Sequence, residues 1–167
     1  MMETVLDSPE QAISQRHSFF DQERETNWAV VMSVDVDADA RRIFQALTLP
    51  EYLEAWIHMP EHTKHSQIIA SPDPNGYTVH HYCAGQRAMS VRGTYMFRHQ
   101  RKMRLLWRRL CDSFCVESVV DLRLRGNFAS SILELRHTAL QSPSELIWHE
   151  EFWQRSLQKL ASLLRSA

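Results

Sequence analysis

Long apolar runs are missing from this sequence. No stretch approaches the roughly 20 consecutive apolar residues that a membrane-crossing helix needs, so helical insertion into a bilayer is not expected. Glycine is scarce, with four in 167 residues, which excludes collagen-like and low-complexity architectures. Cysteine numbers only three, with Cys83 remote from Cys111 and Cys115. An odd, scattered set does not make a disulfide framework and reads as reduced thiols in a cytoplasmic protein. Neither sign of charge dominates: 19 basic and 20 acidic residues leave a net charge of −1. No whole-molecule field draws the chain to polyanions, and neither nucleic acid nor a membrane is expected as partner. The segment MMETVLDSPEQAISQRH lacks the basic start and apolar stretch of a secretory signal, so export is not expected. Phosphate-binding loops, nucleophile elbows and paired zinc-ligand patterns are also missing. No catalytic residue, metal or cofactor is therefore assigned.

What is present is enough apolar sequence, 44% against 23% charged, for one well-buried core. Residues 1–24 are polar and read as an arm or extra helix, with Ser8 as its cap and Pro9 at its first position. Residues 25–167 read as the domain. From Trp28 to Val36 the alternation of Trp28, Val30, Met32, Val34 and Val36 predicts a half-buried strand. Asp37 is placed to cap a helix with Ala40, Ile43, Phe44 and Leu47 on one side. Thr48 and Glu51 have the spacing of a capping box for a second helix, with Pro50 in its first turn. Antiparallel strands follow at about 65–71, 77–84, 87–98, 103–110, 114–125 and 128–138, punctuated by turn sequences such as Pro72-Asp73-Pro74-Asn75-Gly76. Ser142 as cap, Pro143 at the first helical position and Glu145 three after the cap open a long helix. Its stripe is Leu146, Trp153, Leu157, Leu160 and Leu164. Strand, two helices, a run of strands and one long helix is an α+β order.

Several strings carry a resemblance. Asp37-Ala38-Asp39-Ala40 through Ala46-Leu47-Thr48, then Pro50-Glu51-Tyr52-Leu53-Glu54-Ala55-Trp56, are followed by Val91-Arg92-Gly93, by Arg104-Leu105-Leu106-Trp107, and by His149 with Trp153, Leu157 and Leu160. Across residues 27–165 this resembles the START-like (SRPBCC, helix-grip) superfamily, and within it the family related to the activator of a heat-shock chaperone's ATPase. Where that family carries a glycine pair before its central strands, this chain has Gly85 alone. The resemblance implies a helix-grip fold, a curved antiparallel sheet wrapped around the C-terminal helix. Members include ligand carriers, cyclases, hydrolase-like proteins and stress-response proteins, so the fold alone names no chemistry.

The expected function is binding of a hydrophobic or aromatic small molecule in a cavity between sheet and helix, with Trp56, His80, Tyr82, Arg92, His149 and Trp153 as ligand-binding residues. His149 shares the stripe of the long helix and should face the sheet, either as a structural hydrogen-bonding group or as a pocket-lining donor or acid/base. His80, Tyr82 and Arg92 share one strand face with Thr78 and Thr94, which is either concave and ligand-facing or convex and solvated. Two rivals stand beside this reading: a cyclase- or hydrolase-like enzyme using a cavity histidine, and a co-chaperone-like interaction domain. A homodimer is left open. His58, His62 and His65 have a spacing that zinc uses on a helix, but Pro60 breaks the register and no further ligand completes the set. In the basic run Arg98 to Arg109, Arg104 and Arg108 read as the wet side of a hairpin strand whose other side is Met103, Leu105 and Trp107.

Overall fold

The computed structural model describes residues 28–61, 63–111, 114–126 and 130–165. The helix expected at Ser8 and Pro9, and His62, lie outside them. Strand β1 spans Trp28–Val36, helices α1 and α2 span Ala40–Thr48 and Pro50–Trp56, and six strands follow: β2 (Ser66–Asp73), β3 (Gly76–Cys83), β4 (Gln86–His99), β5 (Lys102–Cys111), β6 (Phe114–Gly126) and β7 (Ser131–Leu140). Helix α3 spans Pro143–Arg165. The strands form one antiparallel sheet in the order β1-β7-β6-β5-β4-β3-β2. This is the α+β helix-grip arrangement.

Period-two alternation decides which face each strand buries. In β1, Val30 and Val36 are enclosed whereas Val31 is 73% exposed. In β5, Met103, Leu105 and Trp107 face the core and Arg104 and Arg108 face out. Pro72 falls inside β2, tolerated because β2 is an edge strand. The turn into β3 is the two residues Pro74-Asn75, and Asn75 Nδ2 donates to the Tyr95 carbonyl at 2.7 Å. Between β3 and β4, Ala84 and Gly85 both have positive φ, 50° and 79°. Ala84 thus takes the left-handed position that a glycine would fill in a glycine pair, at some steric cost.

Two helix starts differ from expectation. Asp39, not Asp37, caps α1, its Oδ1 accepting from the Arg42 N–H at 2.8 Å, while Asp37 pairs with Arg165 at 3.2 Å. Leu49 occupies the cap position of α2 without a side-chain bond, and Thr48 donates to the Phe44 carbonyl at 2.7 Å instead of capping. Leu53 and Trp56 bury the inner side of α2, and the Trp56 indole donates to the Ala46 carbonyl at 2.8 Å. Helix α3 lies on the inward face of the sheet, nearest β1. Its enclosed residues Phe152, Trp153, Leu157, Leu160 and Leu164 join one core with Val30, Val36, Ile43, Leu53, Trp107, Leu133 and Leu135. Each such side chain contributes about 1.5–3 kcal/mol through removal from water.

Candidate functional site

The interface between α3 and strands β5, β6 and β7 is aromatic but far from purely apolar. Trp107, at the centre of β5, lies against Trp153 and Phe152 of α3 with ring centroids 5.1 and 5.6 Å away. Gly93 pairs with Trp107 across β4 and β5 and makes room beside it: a Cβ there would come within 2.9 Å of both the Tyr77 ring and Leu105. Into this packing the fold places five polar residues that are each at most 8% exposed as whole residues, namely Arg109, Ser118, His137, Glu145 and His149.

Their hydrogen bonds settle the histidine tautomers. An indole N–H can only donate, so the 2.9 Å contact from Trp153 Nε1 makes His137 Nδ1 an acceptor. His137 Nε2 then carries the proton and donates to Ser118 Oγ at 2.6 Å. The His149 ring lies 4.3 Å from that of His137. A carbonyl can only accept, so His149 Nδ1–H donates to the Glu145 carbonyl at 2.8 Å and Nε2 holds the lone pair. Burial, with a smaller contribution from the nearby Arg109 charge, lowers the His149 pKa to about 4 against the raising effect of the Glu145 carbonyl. Burial, with His149 beside it, also holds His137 well below the usual histidine range. Both rings are neutral at pH 7.

Glu145 lies in the first turn of α3, and its backbone N–H donates to Ser142 Oγ at 3.2 Å, so Ser142 caps the helix as expected. The Glu145 carboxylate does something else: Oε1 accepts from Arg109 Nη2 of β5 in an enclosed ion pair, with side chains only 8% and 10% exposed. The Arg109 guanidinium also lies over the Trp148 ring, 4.5 Å from its centroid, and 5.2 Å from that of Phe114. Among the described residues, four enclosed polar atoms of this cluster have no hydrogen-bond partner: Trp107 Nε1, Arg109 Nε, Glu145 Oε2 and His149 Nε2. Two are donors and two are acceptors.

Of the expected ligand-binding residues, Trp56, His149 and Trp153 lie in the interior. His80, Tyr82 and Arg92 do not join them, because Tyr77, Val79 and His81 of β3 and Val91 and Gly93 of β4 take the inward positions. The alternate residues face out. There His80 Nδ1 contacts Ser90 Oγ at 2.7 Å and Arg92 pairs with Asp73 at 2.5 Å. Arg109, His137, Ser118 and Trp107 were not among the expected site residues. Parity carried the signal, since Arg109 shares the register of Leu105 and Trp107, and His137 that of Leu133 and Leu135.

Comparison with known proteins agrees with the fold. The family model described as "Activator of Hsp90 ATPase homolog 1-like protein" matches residues 37–165. The chain belongs to that family. Its fold recurs in CalU16 from Micromonospora echinospora, 20% identical with a TM-score of 0.57 over 81% of this chain and 75% of that one. A protein from Chromobacterium violaceum matches at 17% identity and a TM-score of 0.62, over 81% of this chain and 96% of that one. DynU16, from the dynemicin biosynthetic locus, matches at 18% identity and a TM-score of 0.59 over 83% of this chain, which spans 48% of that longer one. No curated protein matches the sequence.

Proposed function

We propose that this domain binds a small aromatic or largely apolar molecule bearing hydrogen-bonding groups, held beneath α3 where Trp107, Arg109, Glu145, His149 and Trp153 meet. Trp56, its indole already bonded, forms part of the apolar core around it. The observation that carries this reading is the set of four enclosed, unpartnered polar atoms in one contiguous cluster. An enclosed polar group without a partner costs about 1–3 kcal/mol, and native interiors rarely leave several together. A guest offering both an acceptor and a donor, such as a phenol with a neighbouring carbonyl, meets the indole and guanidinium N–H groups on one side and the imidazole or carboxylate on the other. Its apolar surface supplies affinity at about 25 cal/mol per Å² removed from water. Trp107, Phe152, Trp153, His137 and His149 are each at most 2% exposed, so entry requires ring movement, with α3 lifting from the sheet at this end.

A cavity-histidine enzyme requires solvent to reach His149. That ring is fully enclosed, and the enzymatic reading has less support than binding. The test is native mass spectrometry and thermal shift against a library of hydroxylated aromatic carbonyl compounds and their hydrocarbon counterparts. The expected result is retention of at least one polar member, not its hydrocarbon counterpart, with binding weakened about ten-fold by Trp107→Phe. Retention of nothing by the folded protein, or equal binding to the variant, would overturn the proposal.

A further inference from the structure

The outward face of the sheet carries a concavity, independent of the interior cluster. It has a volume of about 590 Å³ and crosses four strands, with Val31 and Ser33 of β1, Glu134 and Arg136 of β7, Asp121 and Arg123 of β6, and Lys102 and Arg104 of β5 along its walls. Strand register arranges these in two rows. One runs Arg104, Asp121, Arg136, Val31; the other runs Lys102, Arg123, Glu134, Ser33.

A solvated sheet face usually alternates charge across strands, because like charges directly opposite each other are destabilising. This one does not balance. Asp121 is held by both nitrogens of the Arg104 fork, at 2.7 and 3.0 Å, and Glu134 is paired with Arg125 at 3.1 Å. Both carboxylates of the groove are thus committed. Lys102, Arg123 and Arg136 are left without an ion pair among the described residues, and Lys102 stands directly opposite Arg123. The excess is local, since the chain as a whole carries a net charge of −1. A volume of this size suits a small molecule, and guanidinium groups match the geometry of carboxylate and phosphate oxygens.

We infer that this groove binds a small polyanion, a molecule carrying two or more phosphate or carboxylate groups, through Lys102, Arg123 and Arg136. The anion supplies the negative charge that the strand pairing withholds. Bound there it touches β1, β7, β6 and β5 together and clips the edge strand to the centre of the sheet.

Calorimetric titration of the full chain with inorganic tripolyphosphate and with citrate at low salt tests this. The expected result is saturable binding of one anion per chain, weakened about five-fold by each of Arg123→Gln and Arg136→Gln. Lys159→Gln, on the exposed side of α3, should leave it unchanged, with unaltered circular dichroism and melting confirming that each variant is folded. Trp107→Phe should also leave it unchanged, which separates this site from the interior one. Parallel arms use phosphatidylserine vesicles and a single-stranded DNA oligonucleotide. Absence of saturable binding by either small anion, equal weakening by Lys159→Gln, or binding confined to vesicles or oligonucleotide would each overturn the assignment.

Discussion

Arg108 and Arg109 are neighbours in β5 and each pairs with a glutamate, yet the pleat sends them to opposite faces. Arg108 meets Glu117 at 2.8 Å on the outward face, with side chains 38% and 51% exposed. Arg109 meets Glu145 beneath α3, where both are nearly enclosed. If the outer pair loses a partner, water replaces it. The inner pair has no such substitute, so the same two residue types make a dispensable contact on one side of the sheet and an obligatory one on the other.

The largest expected effect follows directly. Glu145→Gln leaves Arg109 enclosed and uncompensated and should lower stability by about 3–5 kcal/mol in urea denaturation, whereas Arg109→Met with Glu145→Leu together should recover most of the loss. Additive losses in the double variant would break the distinction between the faces. Next comes pH. His149 titrates near pH 4 when folded and near 6.5 when unfolded, so between those values the unfolded chain takes up a proton that the folded chain does not. Stability should therefore fall with falling pH over that window by about 1.4 kcal/mol per unit, and His137 should add to the slope. Denaturation midpoints at pH 7, 6 and 5 check this, with His149→Gln expected to flatten the curve. Trp153→Phe removes the donor to His137 Nδ1 and should cost about 1–2 kcal/mol by the same denaturation assay. The smallest effect belongs to the outer pair: Glu117→Gln should cost less than about 1 kcal/mol, and the difference should shrink further in 1 M salt.

How much of this was legible in the sequence depends on whether the signal was local. The order of elements, the inward parity of Val30 and Val36, and the Ser142 cap are all set by spacing along a single segment, and the fold followed from them. Glu145 illustrates the boundary. Its position three after Ser142 suggested a capping carboxylate, but its side chain turns to Arg109, 36 residues away, and nothing in the local spacing encodes that partner. Arg109 had the parity of an inward residue, yet a positive charge there reads as solvated until an enclosed acid is known to face it. For His80, Tyr82 and Arg92 alternation offered two faces without saying which was covered. In β3 aromatic and polar residues occur on both, and only the packing of Tyr77 and Val79 into the core decides. The cap expected at Asp37 lies two residues on, at Asp39, whose carboxylate reaches the Arg42 N–H in the first turn of α1.

The contrast between the faces leads back to the unmet polar atoms beneath α3, and the indole N–H of Trp107 reports on them most directly. Nitrogen-15 NMR resolves the five tryptophan indoles of the chain, and a molecule retained in the library screen can be titrated against them. The Trp107 signal should move downfield more than any other as its N–H gains an acceptor, while the already bonded Trp56 signal changes little. A Trp107 signal that stays fixed at saturation, with the shifts confined to half-buried Trp28 or Trp148, would contradict it.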